Sequence, residues 1–321
     1  MKAIRVQDKT LSWVETAEEA CGPGQVRIQI AATAINRADL LQAAGGYPPP
    51  PGASPILGLE CAGEILEVGE GVRSVRLGDQ VCALLAGGGY AEQVVVAAGQ
   101  VLPIPKGFSA VEAAAIPEVF ATAYLNLYME AGLQTGEKVV LHAGASGVGT
   151  AAIQMLAQSH NPCFVTVGSA AKIEQCVALG ADAGFDRHEG SFQGALDAWA
   201  GEGGVDVILD PVGGQYFADN LACLGLGGRL VLIGLMGGVD TQLNLALMMM
   251  KRLRVIGSTL RGRSIAEKAL IMDALREAIW PHLESGAIKP VIETTMPIEN
   301  AGEAHALMAS NATVGKIVLT V

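Results

Sequence analysis

The sequence has few charged residues, few aromatic residues and less base than acid. Charged side chains make up 17% of the 321 residues and aromatic side chains 4%, and the formal net charge at pH 7 is −11. Nucleic acid and anionic membranes are poor partners for so acidic a chain, so we expect neither as its main partner. With 50% hydrophobic residues and 41 glycines, the composition favours a compact α/β enzyme over a disordered chain.

Long hydrophobic runs and paired cysteines are also missing. The longest apolar stretches are strand-sized and interrupted by glycine, so none predicts a membrane-spanning segment. The first ten residues have the pattern of a strand and lack the apolar segment of a secretion signal, so we expect a cytoplasmic protein. The six cysteines are scattered without a C-x-x-C pair, which favours buried, reduced thiols over a zinc or disulfide framework.

The pattern of the chain changes near Glu118. Before it there are strand patterns and turn-rich segments, including a surface loop at Pro48–Pro51. After it, strand-like runs alternate with helical ones, which is typical of a parallel sheet covered by helices on both faces. The expected strands are Lys138–His142, Phe164–Val167, Ala183–Phe185, Val205–Asp210, Arg229–Ile233 and Arg254–Ser258. Six such strands predict an α/β fold with a doubly wound Rossmann sheet.

The tail of the chain has the pattern helix, strand, helix, strand, and we expect it to return to the first domain. The prediction is therefore a discontinuous β-rich domain, residues 1–117 and 265–321, and a Rossmann domain, residues 118–264.

The segment His142–Gly149 (HAGASGVG) joins a β-branched strand to an Ala-rich helix. Its glycines allow a sharp turn and a close approach to a pyrophosphate, whose charge the free amides and dipole at the helix start stabilise. The spacing is G-x-x-G-x-G instead of the common G-x-G-x-x-G, and a tight turn in any α/β protein also needs glycine. Among six alternating strands and helices, however, the segment predicts dinucleotide binding.

The end of the next strand indicates which dinucleotide. An NAD site usually has a carboxylate about 20 residues beyond the glycine loop, but the chain there reads Val167-Gly168-Ser169. Ser169 and Lys172 could instead hold a 2′-phosphate through charge-assisted contacts worth about 1.5–3 kcal/mol each. The sequence therefore favours NADPH, with a solvated helix residue as the alternative for Lys172.

Several segments occur together and in order along essentially the whole chain. They are Asn36–Leu40, Gly46–Ala53, Ile56–Glu60, Gly78-Asp79, Ala114–Glu118, His142–Gln154, Gly234–Gly238 and Gly315–Leu319. In this combination the chain resembles the zeta-crystallin-like quinone oxidoreductases of the medium-chain dehydrogenase/reductase superfamily. It is most similar to the subgroup that in animals is induced by a tumour suppressor.

The resemblance implies a GroES-like catalytic domain built from both ends of the chain, a Rossmann domain, and a cleft between them for the nicotinamide. It implies that Tyr47 stacks near the nicotinamide and that Asn36 lines the substrate pocket. The further cofactor contacts that it implies are Thr122, Ser146, Gly147, Val148, Gly168, Ser169, Lys172, Leu235, Met236, Leu260 and Asn311. It also implies a homodimer or homotetramer, with contacts near Arg254–Ser258.

The sequence departs from the family pattern at Arg187, where relatives usually have tyrosine. An arginine there could stack on adenine and contact the 2′-phosphate. It could equally point to solvent, paired with Asp186 or Glu189.

A zinc site is not expected. Zinc-dependent relatives have histidine before the glutamate of a G-H-E motif and a cysteine ligand earlier in the chain. Here the corresponding residues are Leu59 and Asn36, and neither supplies an imidazole or thiolate for a tetrahedral zinc site. Metal-assisted alcohol oxidation is therefore disfavoured.

Three other groups of residues receive structural interpretations. His142 is expected to make backbone hydrogen bonds, and Met248–Met250 to lie in a core or an interface. The basic cluster formed by Lys251–Arg254, Arg261 and Arg263 is interpreted as a solvated edge or subunit contact, with an RNA-contacting patch as the alternative.

Together these patterns predict NADPH-dependent, zinc-independent reduction of a quinone or a similarly activated carbonyl compound. Nicotinamide supplies the reducing equivalents, and the reduced quinone oxygens can take protons from water, so no general acid is needed. Tyr47 is the candidate proton donor or stacking group, or else an aromatic residue that only shields the cleft. The alternatives are a reductase of α,β-unsaturated ketones or aldehydes, and an NADPH-binding regulatory or RNA-binding protein with little turnover.

Overall fold

The computed structural model describes residues 1–8 and 10–321 of the chain. These residues form two compact units. Unit 1 consists of Met1–Ala121 and Leu260–Val321, and unit 2 of Thr122–Thr259.

Strands and helices account for most of both units. The strands are β1 Lys2–Gln7, β2 Thr10–Glu15, β3 Gln25–Ala34, β4 Glu60–Val68, β5 Gln80–Leu84, β6 Gln93–Ala97, β7 Val101–Pro103, β8 Val139–His142, β9 Cys163–Val167, β10 Ala183–Asp186, β11 Val205–Asp210, β12 Leu224–Leu232, β13 Arg254–Gly257, β14 Ile292–Pro297 and β15 Lys316–Thr320. The α-helices are α1 Arg37–Ala43, α2 Ala110–Ala113, α3 Pro117–Tyr124, α4 Gly147–Gln158, α5 Ala170–Ala178, α6 Gln193–Ala200, α7 Phe217–Cys223, α8 Leu245–Met250, α9 Ile265–Glu284 and α10 Ala301–Ala309.

Unit 2 contains a parallel sheet whose strands, in its described residues, are ordered β10-β9-β8-β11-β12-β13. In chain order this is third, second, first, fourth, fifth, sixth, the order of a doubly wound Rossmann sheet. Strand β8 is buried along its whole length, as expected for a central strand covered on both faces. The predicted fold class is therefore confirmed.

The strand β12 is longer than the sequence predicted. Expected at Arg229–Ile233, the strand begins at Leu224 and pairs with Val205 across a register shift. The first five residues of the strand, 224–228, include three glycines, and glycine contributes nothing to the apolar pattern by which a strand is recognised. Here Gly225 is needed for close packing, since a Cβ on it would lie 2.3 Å from the carbonyl oxygen of Gly203.

Unit 1 is rich in β-structure. Its larger described sheet has the order β14-β15-β3-β4-β5-β7, with β6 paired to β3, and β1 and β2 form a separate antiparallel pair. The last strand of the chain, β15, runs antiparallel to β3. One buried cluster packs inside this sheet around Val26, Ile28 and Ile65. A second cluster includes Tyr90 and the terminal strand.

Two further features bear on later sections. All six cysteines are free, five of them are buried, and Cys21 is partly buried. Within the described residues, no helix is both long and apolar enough to cross a membrane.

Candidate functional site

The glycine-rich loop between β8 and α4 lies where the strand order of the unit 2 sheet reverses. Two of its glycines leave no room for a side chain. A Cβ on Gly149 would lie 2.3 Å from the carbonyl oxygen of Gly144, and a Cβ on Gly144 would lie 2.6 Å from the Cβ of Val165. The loop therefore folds closely on itself at Gly149 and packs against the Val165 side chain of β9 at Gly144.

Ser146 caps α4, a helix of 12 residues. Its Oγ accepts a hydrogen bond of 3.1 Å from the backbone N–H of Gly149. Gly147 and Val148 follow as the first helical residues, whose amides have no carbonyl of the helix to bind. Ser146, Gly147 and Val148 are thus brought together, with free amides and the positive end of the helix dipole available to an anion.

A second group of predicted residues lies at the end of β9. Ser169 caps α5, and its Oγ accepts a hydrogen bond of 3.3 Å from the backbone N–H of Lys172. A Cβ on Gly168 would lie 3.6 Å from both Nε and Nη2 of Arg187, so the exposed guanidinium lies beside the strand end. The structure therefore brings Gly168, Ser169 and Lys172 together with the arginine that departs from the family pattern.

The sequence-based expectation for His142 is wrong, because its ring binds side chains instead of backbone. Nδ1 lies 2.9 Å from Oγ1 of Thr166, and Nε2 lies 2.7 Å from Oδ1 of Asn220. Burial lowers the pKa of His142 to about 4, so the ring is neutral and one of its nitrogens accepts. A local sequence pattern could not show this, since the partners come from β9 and α7.

The same chain of contacts continues to Asp210 at the end of β11. Asn220 donates to Oδ2 of Asp210 at 3.0 Å, and the carboxylate accepts the backbone N–H of Val212 at 2.6 Å. Burial raises the pKa of Asp210 to about 6. This network fixes the turn after β11, next to the glycine loop, and is a feature that sequence analysis missed.

The remaining predicted cofactor residues are distributed over both units. Thr122, Leu235 and Met236 are in unit 2, and the last two are about half exposed. Leu260 and Asn311 are in unit 1, where Leu260 is buried and Oδ1 of Asn311 accepts a hydrogen bond of 2.6 Å from Arg37.

Unit 1 holds a buried polar cluster around Glu60. Nζ of Lys316 lies 2.8 Å from Oε1 of Glu60, and both side chains are almost fully buried. Asn36 donates from Nδ2 to the same Oε1 at 2.9 Å and accepts from Lys316 on its Oδ1 at 2.7 Å. The predicted pocket residue Asn36 is therefore held by an ion pair that joins β4 to the last strand.

Glu118, at the start of α3, is the second carboxyl group of this cluster. Its backbone N–H donates to Oε2 of Glu60 at 2.9 Å. Its own Oε2 is buried and has no hydrogen-bond partner among the described residues. Burial, and secondly the charge of Glu60, raise the pKa of Glu118 to about 8.

A third carboxyl group, Asp39, is fully buried behind Asn36. It accepts the backbone N–H of Asn36 at 2.8 Å and that of Gly58 at 2.9 Å. Tyr90 donates to it at 3.3 Å and also lies 3.1 Å from Nε2 of His305. Burial raises the pKa of Asp39 to about 6.

Arg261 lies against Tyr47 and is not part of a solvated basic edge, so that interpretation is wrong for this residue. The carbon of its guanidinium is 5.3 Å from the centre of the Tyr47 ring, and Nη1 donates to the Tyr47 carbonyl oxygen at 3.3 Å. Nη2 and Nε bind Gln42 and the carbonyl oxygen of Ala86. Because these partners occur far earlier in the chain, sequence proximity to Arg263 was misleading.

The interpretation of the methionines as core or interface residues is confirmed for Met248 and stays a prediction for Met249 and Met250. Met248 packs against the hydrophobic core of unit 2. Met249 and Met250 are each 75% exposed in the single chain.

Glu60, Lys316, Glu118, Asp39 and Arg261 were not recognised as site residues from the sequence. A signal was present for three of them, since Glu60 and Glu118 each follow a run of small or apolar residues and Lys316 opens an apolar terminal strand. Ionisable residues in such positions are seldom buried without a partner.

The two positions that carry zinc ligands in zinc-dependent relatives are occupied here by Leu59 and Asn36, which supply no imidazole or thiolate. Leu59 is buried, and the side-chain amide of Asn36 is hydrogen-bonded to Glu60 and Lys316. In the described part of the chain there is no group of three or more His, Cys, Asp or Glu side chains that could hold a metal ion.

Comparison with known families and proteins agrees with this architecture. Residues 22–106 match the alcohol dehydrogenase GroES-like domain, and residues 179–319 match the family described as zinc-binding dehydrogenase. Quinone oxidoreductase-like protein 2 of Mus musculus is 28% identical over 95% of this chain and 87% of its own length. The lovastatin diketide synthase of Aspergillus terreus is 34% identical over 92% of this chain, which spans only 12% of that protein.

Solved structures are similar over the whole chain. A quinone oxidoreductase of Escherichia coli complexed with NADPH has a TM-score of 0.88 at 27% identity, covering 100% of this chain and 99% of that one. The CurK enoyl reductase has a TM-score of 0.87 at 27% identity, covering 99% and 98%. An NAD-dependent alcohol dehydrogenase has a TM-score of 0.86 at 28% identity, covering 100% of both. With the Rossmann sheet of unit 2 and the β-rich, GroES-like unit 1, these matches establish that the chain belongs to the medium-chain dehydrogenase/reductase superfamily of oxidoreductases.

Proposed function

We propose that this chain is an NADPH-dependent, zinc-independent reductase of quinones and similarly activated carbonyl compounds. The observation that carries the proposal is the arrangement in unit 2. The glycine loop leaves the first amides of α4 available to bind an anion such as pyrophosphate. The end of the neighbouring strand β9 brings together Ser169, Lys172 and Arg187, and it has no carboxylate at the position usual for NAD sites.

The preference for NADPH follows from charge. A 2′-phosphate gains charge-assisted contacts from Lys172 and Arg187 and meets no repulsion from an acidic residue at the strand end. The E. coli quinone oxidoreductase bound to NADPH is consistent with this preference. The NAD-dependent alcohol dehydrogenase shows that both nucleotides occur in proteins of this shape, so the two must be compared directly.

Zinc independence is supported by the chemistry of unit 1. Glu60, the only carboxylate of the G-L-E segment, has its charge balanced by Lys316 and is saturated by Asn36 and the Glu118 amide. Leucine and asparagine complete the set, and none of these groups forms a tetrahedral nitrogen and sulfur site. Electron-poor acceptors need no Lewis acid, which fits such a site.

Within unit 1, Tyr47 and Asn36 are the proposed residues of the acceptor pocket. The Arg261 guanidinium fixes the Tyr47 ring, and the Glu60–Lys316 pair fixes the Asn36 amide. Both side chains are therefore pre-organised, as a site that orients its substrate requires. The further cofactor contacts that we propose are Thr122, Leu235, Met236, Leu260 and Asn311. We also propose a homodimer or homotetramer that assembles through β13, which lies at the edge of the described sheet.

Reduction of α,β-unsaturated ketones or aldehydes is the second candidate. Two observations favour it: the protonated carboxyl of Glu118, which supplies an acid that the sequence did not reveal, and the similarity to the CurK enoyl reductase. Reduction of a quinone does not need such an acid, because the reduced oxygens take protons from water. Reduction of an activated alkene needs one, because a carbon atom must be protonated.

A panel of acceptors tested with both nucleotides decides the function. The purified chain is mixed with NADPH or NADH and with para-benzoquinone or carvone, and the loss of nicotinamide absorbance is followed. We expect turnover with NADPH to exceed that with NADH at least tenfold. Binding of NADPH without reduction of any acceptor would contradict the enzyme assignment and favour the regulatory alternative.

A further inference from the structure

The carboxyl group of Glu118 is an ionisable group that quinone reduction does not require. Its Oε2 is shielded from solvent and accepts no hydrogen bond among the described residues. The nearest carboxylate, Glu60, already accepts from Lys316, from Asn36 and from the backbone of Glu118 itself. A negative charge on Glu118 would therefore lie beside another negative charge and would lack its own donor, an arrangement with a large desolvation cost.

The charged groups around Glu118 come from several elements of unit 1. Glu60 on β4 and Asp39 on α1 raise its pKa, and Lys316 on β15 and Lys268 on α9 lower it, but burial dominates. With a pKa of about 8 the carboxyl is mostly protonated at neutral pH. The two lysines would stabilise the carboxylate once the proton has left, so the group is suited to release and recover a proton near neutrality.

Glu118 is also placed among the proposed acceptor-pocket residues. Burial raises the pKa of the Tyr47 hydroxyl, and Arg261 lowers it while an ionised Glu118 raises it. Asn36, the other proposed pocket residue, shares the Glu60 carboxylate with the Glu118 amide. Unlike its Oε2, the Glu118 residue as a whole keeps partial exposure.

We propose that Glu118 is the catalytic acid of this chain and that its acceptors include activated alkenes conjugated to a carbonyl group. The proposal rests on the reductase function proposed above. It deepens the second candidate function, the reduction of α,β-unsaturated carbonyl compounds, by assigning the residue that donates the proton.

The proton balance of the step is as follows. Bound NADPH would supply a hydride to the β-carbon of the alkene and be oxidised to NADP⁺, which would leave an enolate on the substrate. The O–H bond of Glu118 breaks as a C–H bond forms at the α-carbon, and the carboxylate that remains is stabilised by Lys268 and Lys316. A proton from solvent then restores the carboxyl, so each turnover consumes one NADPH and one proton.

The two acceptor classes respond differently to loss of this acid. Both oxygens of a reduced quinone take protons from water. Protonation of the α-carbon of the enolate is slower, and the face on which the proton adds determines the configuration of the product. Replacing Glu118 should therefore impair alkene reduction far more than quinone reduction. It should also change which face of the alkene product is protonated, an effect that loosened packing alone would not produce.

The test compares wild type with Glu118→Gln on carvone and para-benzoquinone. For carvone we expect kcat to fall about a hundredfold or more, and the dihydrocarvone product to change from one diastereomer to a mixture. For para-benzoquinone we expect less than about a fivefold change. The wild-type rate with carvone should fall above pH 8, and the variant should lack this limb. Glu303→Gln, an exposed carboxyl of the same unit, is the matched control and should behave as wild type on both acceptors.

Three results would overturn the proposal: an unchanged diastereomer ratio in Glu118→Gln, equal losses on both acceptors, or a wild type that reduces para-benzoquinone but not carvone. Infrared spectroscopy separates this failure from failure of the proposed function. A protonated carboxyl band at neutral pH that disappears in Glu118→Gln, but not in Glu303→Gln, supports the acid even if neither acceptor is reduced. Absence of that band in the wild type contradicts the acid.

Discussion

Lys316 and Glu60 form an ion pair of 2.8 Å whose side chains are 3% and 0% exposed. The pair connects β4 with the strand that ends the chain, and Asn36 bridges its two members. Buried pairs of this kind add little stability relative to an apolar pair of the same shape, but removing one partner is costly. The pair therefore fixes the position of Asn36 more than it stabilises unit 1.

Breaking this pair should destabilise the protein strongly. We expect Lys316→Met to lower the free energy of unfolding by about 3–5 kcal/mol, because it leaves the Glu60 carboxylate buried and unpaired. In the double variant Lys316→Met/Glu60→Gln much of that loss should be recovered. Urea unfolding of the wild type, both single variants and the double variant measures the coupling, and purely additive losses would contradict the pairing.

The stability of the protein should depend on pH through Glu118. Its pKa is raised from 4.5 to about 8 in the folded chain, so between these values the folded state binds more protons than the unfolded state. The free energy of unfolding should then fall as pH rises through this window, by about 1.4 kcal/mol per pH unit. Asp39 and Asp210, whose pKa values are raised to about 6, add to the slope only below that pH. Glu118→Gln should therefore remove the slope between about pH 6 and 8 and be more stable than wild type at pH 9, whereas Glu303→Gln should retain the slope. Urea unfolding at pH 5, 7 and 9 measures the slope, and parallel curves for all three proteins would mean that Glu118 titrates normally.

The cations at the end of β9 should determine the choice of nucleotide. We expect Lys172→Ala and Arg187→Ala each to weaken NADPH binding by about tenfold or more, since a charge-assisted contact is worth about 1.5–3 kcal/mol, and to leave NADH binding nearly unchanged. Arg5→Ala, which removes an exposed cation from β1, is the matched control. Calorimetric titration with both nucleotides measures the difference, and an equal loss for NADH would argue against a 2′-phosphate site.

The contact between two glycines should make the loop before α4 intolerant of a methyl group. Gly149→Ala would place its Cβ 2.3 Å from the carbonyl oxygen of Gly144, so we expect a displaced loop and at least tenfold weaker binding of NADPH. Gly194→Ala is the control: nothing lies within 4 Å of its Cβ, and within α6 the change should stabilise the helix by up to about 1 kcal/mol. Nucleotide titration and thermal unfolding of both variants test this. Unchanged affinity in Gly149→Ala would show that the loop does not hold the pyrophosphate.

The Rossmann sheet and its glycine loop could be predicted because their signals are local. A buried strand such as Val139–His142 shows as an apolar run, and Ser146 and Ser169 stand where helix caps are expected. Strand β12 was predicted short because glycines break the same kind of signal.

The polar cluster of unit 1 could not be predicted in this way. Arg261 binds Tyr47 across 214 positions of the chain, and Lys316 binds Asn36 across 280. The return of the tail to the first domain could be predicted, but the register in which β15 pairs with β3 could not, and this register determines which side chains meet. For the same reason sequence analysis named only Tyr47 as a candidate proton donor, although Glu118 is the last residue of the Ala114–Glu118 motif.

The low reactivity of the six cysteines bears on the proposed reduction of electrophilic acceptors. Quinones and enones alkylate thiolates, and the thiolate is the reactive form of cysteine. Burial raises the pKa of Cys176 to about 11 and that of Cys223 to about 12, and Cys21, the least buried of the six, also has a raised pKa. At neutral pH the chain therefore presents almost no nucleophilic sulfur to such compounds, a property that the proposed turnover of alkylating acceptors would require.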